Sequence, residues 1–287
     1  METSAECPLC RSAASEIFSF DVAAAVASDV PGGYRASLSR CPTCSFLFVA
    51  DPVWLEGSFS SELNRLDVGS VDRSLLVASF VRGLLGRRSR RSSWSVLDVG
   101  GGDGLLTRVL RDHGIDCRWT DPYCEPAYYV GPPADGVARF DLAVMGEVAL
   151  HLTNPIESFR EALSRSDRLM FTAVVPPEKV TVDWWYLMPS TGQHVAFYPT
   201  TAIAEIARRL GADWCSDGKF FHLLSTTGIS RALRRRVEHR ELSLLAAELY
   251  DVLGLLDRAR GRQRSLTTKD QAAVEAAVHD KLKGTDD

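Results

Sequence analysis

Three groups of residues in this chain have types and spacings suited to chemistry. The first is two cysteine pairs, Cys7-Pro-Leu-Cys10 and Cys41-Pro-Thr-Cys44. Four thiolates in two C-x2-C knuckles can close a tetrahedral zinc site, and four protein ligands leave no open position for water, so the metal would be structural. The alternative is four ordinary buried cysteines. The second group is Leu97-Asp98-Val99-Gly100-Gly101-Gly102-Asp103-Gly104, where an apolar run ends in a carboxylate and breaks into glycines. That is the pattern of backbone brought close to a ligand. The third is a set of titratable residues further on, with Glu147 and His151 four apart and His194 inside Gly192-Gln-His-Val-Ala-Phe-Tyr198.

The elements that must position these groups alternate in type. Val96 and Val99 mark a buried strand before the glycines. A helix follows with Leu106, Val109, Leu110 and His113 on one face and Gly114 as its stop. Upstream, Leu76, Phe80 and Leu84, flanked by Val77 and Val81, predict a helix over 71–85 that Gly83 interrupts. Ile115–Thr120, Phe140–Met145 and Asp167–Val175 read as further strands. Asn154, Pro155 and Glu157 predict a capped helix with Ile156, Phe159 and Leu163 buried. A helix over 200–210 ends at Gly211, and Asp217-Gly218 turns one last strand back against its neighbour. Strand, glycine turn and helix in alternation describe a doubly wound α/β fold, whose ligand sits beyond the carboxyl ends of the strands.

The glycine spacing narrows that ligand. A dinucleotide fingerprint beginning at Gly100 would need its third glycine at Leu105, and Asp103 at the helix start would repel a pyrophosphate. No Gly-Lys-Ser/Thr follows, so a P-loop fails as well. What remains, an acidic residue followed by Gly-x-Gly-x-Gly, resembles the class I S-adenosylmethionine (SAM)-dependent methyltransferases. That cofactor has no phosphate. It carries an ammonium, a sulfonium and a ribose diol, which carboxylates and close backbone serve well. Asp121, about 20 residues past the loop and at a strand end, stands where such folds grip ribose hydroxyls. A turn-forming Asp before Pro122 is the other option. The resemblance implies a cofactor set of Asp98, Gly100, Gly101, Gly102, Asp103, Gly104, Asp121, Pro122, Met145 and Gly146. Residues 123–139 hide any further strand and leave the adenine contacts unplaced.

Two further segments resemble small-molecule methyltransferases. Glu147 to Pro155 is similar to their E-V-x-E-H-x-x-x-P segment, with Leu150 in place of the second Glu. The pair Glu147 and His151 is thereby implicated in catalysis, with backbone bonding as the alternative role for His151. Gly192–Tyr198 is similar to the E-H-x-x-Y/F segment of zinc-ribbon sugar methyltransferases. There His194 matches, Gln193 replaces the Glu and Thr191 stands where a Tyr would be, which leaves His194 as the general base. Trp184, Trp185, Tyr186, Gln193 and Tyr198 are the expected substrate contacts. The tryptophan pair could instead be a satellite core.

The resemblance implies an α/β fold with a Rossmann-like doubly wound sheet and an antiparallel last strand, plus an N-terminal zinc module and C-terminal helices. The expected divisions are 1–50 for the zinc module, 51–93 for a helical linker region, 94–228 for the SAM-binding domain and 229–287 for a helical extension. The expected activity is methyl transfer to a hydroxyl, with carbon as second choice, of a sugar, nucleotide sugar or related small metabolite. SAM is the cofactor, and zinc is structural. A net charge of −4 over 287 residues gives no push toward nucleic acid or anionic membrane. No apolar run approaches the roughly 20 residues of a membrane span. The expected setting is therefore cytoplasmic, with a small-molecule acceptor, no membrane or nucleic-acid partner, and a monomer or homodimer. The basic stretch 86–93 and Arg231–Arg240 are the support for a rival, RNA-base methylation. A binding protein that kept only the fold is a second rival. The stripe Leu242, Leu245, Leu249, Val252, Leu253 and Leu256 predicts a tail helix that packs on the domain or pairs two chains.

Overall fold

In the computed structural model, the described residues are 5–22, 34–59, 68–86, 94–132, 134–259, 266, 270 and 271. The expected turn at Pro31–Gly33, the linker 87–93 and a cap at Thr268 lie outside them. The elements in order are β1 (Ala5–Glu6), β2 (Ala13–Val22), β3 (Tyr34–Arg40), β4 (Leu47–Val49), α1 (Ser70–Leu85), β5 (Ser95–Val99), α2 (Leu105–Asp112), β6 (Asp116–Thr120) and β7 (Leu142–Met145). There follow α3 (Pro155–Arg165), β8 (Arg168–Thr172), β9 (Ala196–Phe197), α4 (Thr200–Leu210), β10 (Asp213–Ser216), β11 (Phe221–Ser225), α5 (Arg231–Glu238) and α6 (Arg240–Ala259). The chain divides into two units, one of Met1–Val68 with Glu147–Glu238 and one of Gly69–Gly146 with His239–Asp287.

In the first unit, five strands form an antiparallel sheet in the order β1-β2-β3-β4-β9. Phe20, Val22, Leu38, Leu47, Val49 and Phe197 from these strands share one core with Trp54, Leu150, Tyr186 and Val195. The same unit holds β11 antiparallel to both β8 and β10. The reversal is made at Asp217, whose Oδ1 accepts the N–H groups of Lys219, Phe220 and Phe221 at 2.7–3.0 Å, with Gly218 at φ 71°. This is the antiparallel last strand that the Asp-Gly turn predicts. α3 starts with Pro155 after Asn154, but Asn154 makes no side-chain cap bond and Glu157 pairs with Arg160. The expected capping box is therefore absent.

In the second unit, β5 runs parallel to β6 on one side and β7 on the other. Val96, Leu97 and Asp98 of β5 are buried, as a strand covered on both faces requires. The buried face of α2 is Leu106, Thr107, Leu110 and Arg111, and His113 points outward. Arg111 is tolerated inside because its guanidinium donates to Asp270, Asp116 and the Cys117 carbonyl at 2.6–2.9 Å. Gly83 interrupts the helical pattern of α1 for a reason that lies across the helix pair: a Cβ there would lie 1.8 Å from the Ser243 carbonyl oxygen of α6. α6 packs through Ser243 and Ala247, so its leucine stripe (Leu242, Leu245, Leu249, Val252) stays 39–61% exposed. The architecture is α/β, with parallel strands linked through helices and an antiparallel final strand. No helix among the described residues is long and apolar enough to cross a membrane.

Candidate functional site

The two cysteine knuckles are near copies of each other. In each, the first cysteine's carbonyl accepts the N–H four residues on, from Arg11 and from Ser45, at 2.9 Å. In each, the first cysteine's own N–H donates five residues on, to Ser12 and to Phe46, at 2.9 Å. Arg11 and Ser45 take left-handed φ of 65° and 61°, which curls each pair around one point. Cys7 and Cys44 sulfurs lie 3.7 Å apart, Cys10 and Cys41 sulfurs 3.3 Å, and all four within 4.8 Å of one another. A tetrahedral zinc with Zn–S near 2.3 Å puts its sulfurs about 3.8 Å apart, so the donor set fits that ion. The hydrogen bond across the buried pair lowers Cys7 and raises Cys44.

The glycine loop lies in the second unit. Gly100, Gly102 and Gly104 have φ of 68°, 54° and 83°, a region other residues enter at a cost. Gly101 faces the opposite constraint: a Cβ there would meet Trp119 Cδ1 at 2.6 Å and Asp98 Oδ2 at 2.8 Å. Gly102 would meet nothing within 4 Å, so its backbone borders open space. Asp121 pins the loop. Its Oδ2 accepts the Gly102 N–H at 2.9 Å, and its Oδ1 accepts those of Tyr123 and Cys124 at 2.8 and 2.9 Å. Trp119 Nε1–H adds a bond to the Gly102 carbonyl at 3.0 Å. Asp98 is buried beneath, where Thr107 donates to its Oδ2 at 2.8 Å. Burial, opposed by that hydrogen bond, raises Asp98 to about 7. A cationic ligand group nearby would restore its charge. A glycine-lined opening with carboxylates at its strand ends fits a cofactor bearing an ammonium and a ribose diol.

The titratable cluster lies in the first unit. Glu147 sits at φ 58°, strained for a residue with a Cβ. Thr172, at the end of β8, holds it twice: its hydroxyl accepts the Glu147 N–H at 2.8 Å and donates to Oε1 at 2.9 Å. The Tyr186 hydroxyl donates to Oε2 at 3.2 Å. Tyr186 also fixes His194, whose ring packs edge-on against it at 4.8 Å and whose Nδ1 lies 2.7 Å from the Tyr186 carbonyl. A carbonyl only accepts, so Nδ1 carries a proton, and in the neutral imidazole Nε2 is the basic nitrogen. His151 lies between Phe59 at 5.3 Å and His194 at 5.6 Å. Desolvation, then the neighbouring imidazole, takes His151 down to about 3, so it stays neutral.

The expected substrate residues separate. Trp185 is 68% exposed, whereas Trp184 is half-buried and packs against the core, on Phe197 at 5.1 Å. Tyr198 is fully buried with its hydroxyl donated to the Ala149 carbonyl at 2.6 Å, a packing role instead of a surface one. Gln193 donates to the Ser58 carbonyl at 2.7 Å. Met145 is buried in β7, Gly146 borders Leu106 and Val77, and Asp103 and Pro122 are exposed. Thr107 and Thr172 belong to no motif in the sequence. Their one signal is a hydroxyl residue at an otherwise apolar position, beside Leu106 in one case and after Leu169-Met-Phe171 in the other.

Among protein families, one described as a methyltransferase domain matches residues 72–216. No curated protein matches the sequence. Among solved structures, the chain is similar to a mitomycin 7-O-methyltransferase, with 13% identity and a TM-score of 0.39 over 58% of this chain and 59% of that one. It therefore spans under two thirds of that enzyme's length. It is also similar to the 1,6-didemethyltoxoflavin-N1-methyltransferase of Burkholderia thailandensis, with 18% identity and a TM-score of 0.43 over 68% of this chain and 95% of that one. A third likeness is to the magnesium protoporphyrin IX methyltransferase of Synechocystis PCC 6803, with 16% identity and a TM-score of 0.39 over 57% of this chain and 86% of that one. The family match covers half of the 287 residues and takes in the whole glycine loop, and the chain belongs to this family as a SAM-dependent methyltransferase.

Proposed function

We propose that this enzyme methylates a hydroxyl of a sugar, nucleotide sugar or related small metabolite, with His194 as general base. The observation that carries the reading is the Nδ1 bond to the Tyr186 carbonyl, which leaves Nε2 as the acceptor of a proton. When bound, SAM supplies an electrophilic methyl on a sulfonium. His194 Nε2 would take the proton of the acceptor hydroxyl, whose oxygen would receive that methyl group. Glu147, held by Thr172 and Tyr186, stabilises the imidazolium side of that exchange through its negative charge. Trp185 offers an exposed ring face for the apolar side of a sugar. On the cofactor side, Asp98 and the glycines would seat the methionine moiety and Asp121 the ribose. The largest lever is alignment, worth several kcal/mol of the barrier.

The acceptor is found by incubating the enzyme with candidate nucleotide sugars and isotopically labelled SAM, and reading methylated products by mass spectrometry. With it in hand, His194→Ala should lower turnover by about 10²–10⁴ and leave SAM affinity unchanged in calorimetry. An undiminished rate would remove His194 from the mechanism.

A further inference from the structure

The segment carrying His194 is gripped by the N-terminal part of the chain. β4 begins three residues after Cys44 and pairs with β9, with Leu47 opposite Phe197 and Phe48 opposite Ala196. The Val49 N–H extends that ladder to the carbonyl of Val195, the residue directly after His194, at 2.9 Å. Before His194 the grip is tighter. Gly192 has φ 64°, and a Cβ there would lie 2.7 Å from both Trp54 Nε1 and Val22 Cγ1. Trp54 Nε1–H donates to the Gly192 carbonyl at 2.9 Å, and Gln193 donates to the Ser58 carbonyl at 2.7 Å. Residues on both sides of His194 are thus tied to the stretch between the second knuckle and Ser58.

A three-residue strand such as β4 does not hold itself. Its leading end is the Cys41–Cys44 knuckle, and structural metal sites of this kind supply folding free energy directly. We infer that the four-cysteine metal centre, acting through β4, orients the His194 imidazole, with Trp54 and Ser58 as positioning residues. The N-terminal module is on this account part of the apparatus of the base. The inference takes the catalytic consequence from the proposed function, but its geometry stands apart from catalysis.

The test is nitrogen–proton NMR of the imidazoles in the full-length, zinc-loaded protein, with the His194 signal assigned through His194→Gln. The loaded protein should show a single His194 tautomer with a protected Nδ1–H. Withdrawal of zinc by a chelator should replace it with a mixture of tautomers and a rapidly exchanging proton. Trp54→Phe, which keeps an aromatic ring but loses the indole N–H, and Gly192→Ala should do the same with zinc bound, while SAM affinity shifts by less than about twofold. A His194 signal that persists unchanged after metal withdrawal overturns the inference. Should withdrawal unfold the chain, an unchanged signal in both zinc-loaded variants overturns it. A fully active His194→Ala would defeat the proposed base and leave this result to be read on its own.

Discussion

The glycine loop and the titratable cluster solve the same problem by opposite means. The loop is assembled from residues 98–121 and is held mostly by backbone, through glycine dihedrals and a carboxylate that collects three N–H groups. The cluster draws on residues 147, 151, 172, 186 and 194, and side-chain hydroxyls hold its carboxylate. A cradle made by a short run of chain can accept an invariant ligand, since its shape is written locally. A cluster gathered from distant stretches could, on the proposed mechanism, vary with the acceptor while the cradle stays as it is.

The claim that the cradle is local has one exception, and it gives the largest expected effect. Arg111, in the helix after the loop, is buried against Asp270, 159 positions away. Asp270→Ala should cost about 3–5 kcal/mol in urea unfolding, because it leaves a buried guanidinium short of a partner. A loss below about 1 kcal/mol would mean that the cradle depends on its own stretch alone. The sharpest contrast comes from two fully buried threonines that each donate to a carboxylate, Thr107 to Asp98 and Thr172 to Glu147. Replacing either by Val should cost about 1.5–3 kcal/mol. Only Thr107→Val should weaken SAM in calorimetry, and only Thr172→Val should lower turnover at saturating SAM. If both variants lose SAM affinity equally, the two regions do not work separately.

Gly101→Ala should lower SAM affinity by about tenfold or more, because its methyl would displace Trp119 or Asp98. A separate pair of effects is in pH. Asp98 in the folded state, at about 7, stays protonated above its ordinary 3.8. Its contribution to stability is therefore present below about pH 4 and lost as pH rises through about 7. Asp98→Asn should remove that slope from urea midpoints measured without cofactor. His151 runs the other way. Held at about 3 against an ordinary 6.5, it contributes stability present above pH 6.5 and lost as pH falls toward 3. His151→Phe should flatten that acid limb, and an unaltered limb would remove His151 as its source.

This contrast also decides what could be read from the sequence. The cysteine knuckles, Asp98 with its glycines, Asp121 and the Asp217-Gly218 turn each act within a short window, so residue type and spacing expose them. The double hold on Glu147 does not show, because Thr172 and Tyr186 stand 25 and 39 positions away. The pairing of β4 with β9 spans about 150 residues between Leu47 and Phe197 and has no local signature. Gly83 was visible as an interruption, yet its cause lies on α6. Tyr198 has the type of a ligand contact and the position of a core residue, and only its surroundings separate the two. Arg111 misleads in the same way, since an arginine on a buried face is legible only with Asp270 beside it.

Glu147 has a consequence for engineering. A side chain at φ 58° carries roughly 1–2 kcal/mol that glycine would not. Glycine there would relieve that strain but would also remove the carboxylate that Thr172 and Tyr186 hold. On the proposed mechanism, the strained backbone at this position keeps a carboxylate where the reaction would use it.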